Sequence, residues 1–377
     1  MLKNIERVQS FIPIARPMVG TDELEAVQRV LASGNLAQGA VVAEFEEAFA
    51  ATCDVRYAVA VTNGTLALHA AVLAYGIGPG DEVITAPFTF IASANVIRAA
   101  GATPVFADID PVTFTIDPDA IRAAITPRTV AIMPIHLFGH PAAMPEIMEI
   151  AQRHGLAVIE DACQAHGAAI NGVPVGGYGA GCFSFYPTKN ITSGEGGMVT
   201  TNDAAVADAV RLFRHHGMRR RYYHEAFGLN YRMTDLLAAI GLAQLRHLDS
   251  WNAVRQQHAQ QLTSGLYDSG LELPVTRAGY THVFHQYTVR IPHNRDDFRQ
   301  QLADSGIGSE VYYPVPVHRQ AIYADAYSDG MFPETERATR EVLSLPVHPS
   351  LGDEEIDRVI MGVGDVLSKG RRDTCPR

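Results

Sequence analysis

Between residues 57 and 159 the chain alternates short, β-rich apolar runs with stretches of helical spacing. Residues 58–61, 82–86, 103–107, 130–135 and 157–159 read as strands, and 66–75 and 92–100 read as helices between them. Strands joined through helices pair in parallel, because the crossover returns the chain to the same end of the sheet. The pattern therefore predicts an α/β fold with a mostly parallel sheet covered on both faces. Ahead of it, Thr21 precedes Asp22, Glu23 and the helical spacing of Leu24, Val27, Val30 and Leu31, which predicts a helix with Thr21 as its N-cap.

Residues 181–201 break the rhythm. Two strand-like runs, 182–186 and 197–201, flank a polar, glycine-bearing stretch, and a loop between strands is where chemistry tends to sit. A polar helical run at 244–266 then opens a second α+β pattern with elements at 285–291, 295–305 and 310–313. A chain of 377 residues is long for one core. The expected organisation is a large domain, 1–245, and a smaller C-terminal α+β domain, 246–377, with the N-terminal segment free to pack on the smaller one. Residues 369–377 read as a loose tail.

Composition narrows the partners. A formal charge of −11 disfavours a generic nucleic-acid binder, whose affinity needs a cationic surface. A local basic cluster, Arg219 to Arg221 followed by Tyr222 and Tyr223, could still meet a small anion, or serve only as a solvated helix end. The cysteines (Cys53, Cys163, Cys182, Cys375) form no Cys-x-x-Cys pair, so neither a zinc site nor a disulfide framework is signalled. With no signal-peptide core and no apolar run approaching the ~20 residues of a membrane span, a cytoplasmic protein is expected.

The chemistry concentrates in three places. Lys189, in Phe183-Ser-Phe-Tyr-Pro-Thr-Lys-Asn190, stands among apolar and hydroxyl residues with no carboxylate beside it; burial there would free its amine to attack an aldehyde. Asp161 closes an apolar strand, where it could cap a following helix or face a ligand, as groups at the ends of parallel strands do. Asn63-Gly64-Thr65 joins a strand to a helix whose first N–H groups suit a phosphate. Together, a lysine for an aldehyde, an acid for a pyridine nitrogen and a helix start for a phosphate are the polar handles that pyridoxal 5′-phosphate (PLP) presents. The pair His136 and His140 has metal-like spacing, but no acid suits a zinc helix there.

These segments, with Gly78-Pro-Gly-Asp-Glu-Val83, Pro87-Phe-Thr-Phe90, His216-Gly-Met218 and Gly228-Leu-Asn-Tyr-Arg-Met-Thr-Asp235, resemble the DegT/DnrJ/EryC1/StrS family of sugar aminotransferases from about Ile12 to Leu351. The resemblance implies a fold-type-I PLP aminotransferase, an α/β fold whose large domain holds a mixed, mostly parallel sheet. Lys189 then matches the Schiff-base lysine, Asp161 the partner of the ring nitrogen and Gln164 the residue near the phenolic oxygen. Ser184, Gly64 and Thr65 match phosphate contacts, and Phe90 matches the ring stacked on the cofactor. Asn230 matches an asparagine that reaches the phosphate from a neighbouring subunit, which implies a homodimer with shared sites. Tyr313 and His318, in a proline-rich tract, match segments near the sugar, and Arg219 could help meet a diphosphate.

Related sugar dehydratases carry histidine at the position of Lys189, so the lysine implies transamination. L-glutamate is the expected donor, pyridoxamine 5′-phosphate the aminated form of the cofactor, and dTDP-4-keto-6-deoxy-D-glucose the expected acceptor. A 3-keto nucleotide sugar or an inosose is the nearest rival, and a non-catalytic regulatory protein on the same fold is a more distant one.

Overall fold

A computed structural model describes residues 11–373. Its centre is a seven-stranded sheet of β1 (Tyr57–Val61), β2 (Glu82–Thr85), β3 (Thr103–Phe106), β4 (Thr129–Met133), β5 (Ala157–Asp161), β6 (Ala180–Ser184) and β7 (Gly197–Thr201), in the spatial order β1-β7-β6-β5-β4-β2-β3. Neighbours from β6 through β5, β4 and β2 to β3 are parallel, and β7 runs antiparallel to both β1 and β6. The mixed, mostly parallel sheet expected from the sequence is the observed one. Its central strands are buried on both faces, with Val199, Ile84, Ile132 and Ile159 fully enclosed.

The helix Gly64–Ala74 packs against β6 and β7 on one side and against the helix Ala204–Arg214 on another. It is apolar nearly all round for that reason, with Ala67, Leu68, Ala70, Ala71 and Val72 buried. Close approach is built into the sheet end: a Cβ on Gly197 would lie 2.3 Å from the carbonyl oxygen of Asn63, so only glycine lets β7 lie against the turn after β1.

A second core gathers Ala259, Leu262, Tyr287, Val289, Leu302, Leu343, Leu345, Val359 and Val363 around a two-stranded ribbon of Tyr287–Arg290 and Val342–Leu345. Ile12 belongs to it through a parallel bridge to Ile307. The helix Leu248–Gly265 ties the two cores together, since Leu248 packs with the large sheet while Ala259 and Leu262 enter the second cluster.

Several local expectations are corrected. Gly20, not Thr21, is the N-cap of the first helix, Thr21–Ser33, because Glu23 reaches back 2.7 Å to accept the Gly20 N–H. The helical run at 244–266 is two helices, Asp235–Leu245 and Leu248–Gly265, broken where His247 stacks on Trp251. The element at 310–313 reduces to one bridge, Glu310 to Ser344, since Tyr313 adopts a positive φ of 62°. The tail is helical as far as Asp373, where the described residues end; Cys375 lies outside them. No helix begins at Asp161, so it caps nothing.

Candidate active site

The carboxyl ends of β1, β2, β4, β5 and β6 open onto one cavity of about 590 Å³, the crevice position expected of an open α/β sheet. Each strand delivers a distinct group. After β1, Asn63 accepts the Leu66 N–H at 2.9 Å and starts the helix Gly64–Ala74, which turns Gly64 and Thr65 toward the cavity. Ser184 ends β6 directly behind: a Cβ on Gly64 would sit 2.6 Å from the Ser184 Cβ and 3.0 Å from the Cys163 Sγ. A bare helix start and a hydroxyl thus lie side by side, which suits a phosphate.

Asp161 ends β5 at 7 % exposure. Ser93 donates to its Oδ2 at 2.7 Å, and the Cys163 N–H approaches its Oδ1 at 3.3 Å. Ser93 lies 3.1 Å from the Thr89 hydroxyl, so a short chain of hydroxyls fixes the carboxylate's rotation. Its neighbour Glu160, on the other face of the strand, is fully buried. It accepts from Gly176, Tyr178 and Gly179 N–H at 2.8, 2.9 and 3.1 Å, and pairs with His136 at 3.2 Å. Two adjacent acids therefore divide their work, Glu160 clamping the sheet and Asp161 facing the cavity.

Lys189 follows β6 on a folded loop. Its N–H donates to the Tyr186 carbonyl at 2.9 Å, and Asn190 pins the loop by donating to Asn252 Oδ1 at 2.8 Å and to the Val283 carbonyl at 3.0 Å. Burial lowers the amine's affinity for a proton, while Cys163 and Asp161 oppose the shift. The same burial, with the lysine's charge nearby, holds His166 at about 3 and His285 well below its usual range, so both rings are neutral.

Gln164 bridges the cavity wall: its Oε1 accepts the Phe138 N–H at 2.8 Å and its Nε2 donates to the Tyr313 hydroxyl at 2.7 Å. Phe90 stands at the mouth, 60 % exposed. The structure thus brings together Lys189, Asp161, Gln164, Ser184, Gly64, Thr65, Phe90 and Tyr313.

Three of the expected site residues lie elsewhere in this chain. Asn230 is exposed, bridged to His215 and outside the cavity lining. Arg219 is also exposed, with its guanidinium paired to Asp208 and Glu225. His318 is buried against Phe332, its Nε2 3.6 Å from Glu336, so it does not reach the cavity. The sequence reading missed Ser93, Glu195, His285 and Gln286. Ser93, at helical spacing from Thr89, was findable beside the Pro87–Phe90 segment, and Glu195 lies on the same loop as Lys189, whereas His285 and Gln286 arrive from a distant segment. Among the described residues no cluster of three or more His, Cys, Asp or Glu side chains could hold a metal.

The arrangement fits PLP: a desolvated amine, a buried carboxylate, and a helix start with a hydroxyl all face one cavity. Known proteins agree. The sequence profile of the DegT/DnrJ/EryC1/StrS aminotransferase family matches residues 17–364. A "Pleiotropic regulatory protein" of Geobacillus stearothermophilus is 44% identical over 91% of this chain and 93% of its own. The dTDP-3-amino-3,4,6-trideoxy-alpha-D-glucose transaminase of Streptomyces venezuelae is 44% identical over 90% of each chain. The solved structure of S. venezuelae DesV in complex with a ketimine intermediate superposes with a TM-score of 0.90 at 43% identity, covering 92% of this chain and 94% of that one. The chain belongs to the DegT/DnrJ/EryC1/StrS aminotransferase family and is a PLP-dependent sugar aminotransferase.

Proposed function

We propose that this enzyme moves an amino group from L-glutamate to a nucleotide-linked keto-sugar. The observation that carries the reading is the pairing, across one cavity, of a half-buried lysine whose proton is loosely held with a buried carboxylate fixed by Ser93. Bound PLP supplies the electron sink for exchanging an amine and a ketone. Lys189 would hold the cofactor's aldehyde and, once released, move a proton between the reacting carbons, work that suits an amine desolvated toward neutral pH. Asp161 would keep the ring nitrogen protonated through a charge-assisted hydrogen bond worth roughly 1.5–3 kcal/mol. Gly64, Thr65 and Ser184 would receive the phosphate, Gln164 would face the phenolic oxygen, and Phe90 would cover one face of the ring.

The same reading implies a homodimer. Tyr222, Tyr223, Phe227 and Leu229 are exposed beside Asn230, an apolar patch that a second subunit would cover while carrying its own Asn230 toward this chain's cavity. For the acceptor, the S. venezuelae transaminase is named for an amine at carbon 3, which makes a 3-keto nucleotide sugar the first ketone to try and dTDP-4-keto-6-deoxy-D-glucose the second.

The test is the visible absorption of the PLP-loaded protein before and after L-glutamate, beside Lys189→Ala, followed by the ketone panel on the aminated form. Glutamate should bleach the lysine-dependent band, and one class of keto-sugar should restore it. A band that no amino donor alters would point to a reaction other than transamination, and a loaded protein that no ketone restores would favour the regulatory alternative.

A further inference from the structure

Among the described residues three arginines are nine-tenths or more buried. Two of them are neutralised: Arg214 by Glu46, and Arg290 by Glu341 at 3.2 Å and Glu272 at 3.5 Å. Arg255, on the helix Leu248–Gly265, is 5 % exposed and has no acid within ion-pairing distance. Its Nη1 donates to the Phe284 carbonyl at 3.2 Å, and its buried Nε has no hydrogen-bond partner. A buried charge with neither counter-ion nor full hydrogen bonding is costly and is retained when something supplies the missing partner.

The place is specific. Arg255 lines a small cavity of about 20 Å³ with Arg16, Trp251 and Asn190, and this cavity shares Thr188 and Lys189 with the main one. It has room for one oxygen-sized group beside the guanidinium. The titratable neighbours are His166, His258, His285 and His348, each held below its ordinary range by burial, with the Arg255 charge among the causes. Asp353 and Glu355 act only on the outer histidines, His258 and His348. In a protein of net charge −11 this seam is cationic, and its one buried guanidinium lines the same small cavity as Lys189.

We infer that Arg255 receives a carboxylate of the amino-acid donor, with the exposed Arg16 at the entrance, so that donor selection and the reacting lysine sit back to back. The inference rests on the transaminase reading above, from which the carboxylate-bearing amine follows. A carboxylate suits the space better than a phosphate, because one oxygen enters and the rest of the group stays in the larger cavity. It also accounts for the missing acid, since a resident Asp or Glu would compete with the ligand.

The experiment uses the full-length, PLP-loaded protein and the variants Arg255→Gln, Arg255→Lys and Arg16→Gln. The cofactor band comes first, as a check that the lysine loop is intact, and then the band's decay is followed after rapid mixing with L-glutamate. Arg255→Gln should raise the apparent Kd for glutamate about 10–100-fold while the limiting rate stays within about threefold, the effect of one lost charge-assisted hydrogen bond. Arg16→Gln should raise it about 2–5-fold. Glutarate, which has both carboxylates and no amine, should compete with glutamate in the wild type and lose affinity in the variants by the same factor.

Glutarate that binds in an Arg255-dependent way, to a protein that glutamate does not convert, would keep the site and remove the donor. Unchanged Kd values with an intact band would overturn the inference. So would a variant that loses the band and the limiting rate together, because that is the signature of an arginine serving only to anchor Phe284. If Arg255→Gln does not fold, Arg255→Lys and Arg16→Gln decide: unchanged glutamate affinity in both overturns the site.

Discussion

Lys189 and Arg219 are both cations that the sequence marks as candidates, and the fold treats them oppositely. Lys189 is enclosed by the ends of β5 and β6, with neutral histidines nearby, and burial loosens its proton. Arg219 lies on an exposed ribbon, clasped by Asp208 and Glu225, and those pairs tighten its hold on the proton. A cation becomes reactive when water and partners are withdrawn from it, and inert when either is supplied. The contrast is one of environment, since both residues are cations set among hydroxyl-bearing or aromatic neighbours in the sequence.

The contrast is tested most severely at the lysine. Lys189→Ala should abolish the cofactor band and lower transamination by at least about 10²–10⁴-fold, the usual range for a lost general acid–base group, as read by single-turnover absorbance. Asp161→Asn keeps the shape and removes the charge; kcat/KM should fall about 10–100-fold with little change in thermal stability. Gly64→Ala places a Cβ 2.6 Å from that of Ser184, between two rigid strand ends. Urea unfolding should show a loss of about 1–3 kcal/mol, with weaker PLP retention on dialysis.

The buried side of the comparison also makes a pH prediction. His166 titrates at about 3 in the fold and near 6.5 in the unfolded chain, so the unfolded state takes up the proton first. Its contribution is fully present above pH 6.5 and is lost as pH falls toward 3. Between pH 7 and pH 5 the wild-type apoprotein should lose about 2 kcal/mol more stability than His166→Gln, measured by urea unfolding at each pH.

On the exposed side, Arg219→Gln should leave both the melting temperature and the glutamate half-reaction unchanged. A tenfold rise in the keto-sugar KM for that variant would break the comparison, because it would place the ribbon in an active site completed by a second subunit.

The strand rhythm alone was enough to reach a mostly parallel sheet, because period and punctuation are local properties of β and helical backbone. Lys189, Asp161 and the Asn63-Gly64-Thr65 turn were legible as well, since each follows an apolar strand and parallel strands deliver their carboxyl ends to one side. What remained hidden was anything set by contacts across the chain. Glu23 sets the helix start at Gly20 with one oxygen while its other oxygen accepts from Gln244, 221 residues away. His318, in a tract that reads like sugar-contacting sequence, turns into an apolar cluster with Phe332. Ser93 meets Asp161 from 68 residues away, and Arg255 is left without an acid in a seam assembled from four separate segments. Composition and periodicity fix which residues are capable of chemistry; desolvation and partner supply, which decide which of them perform it, exist only once distant segments are packed together.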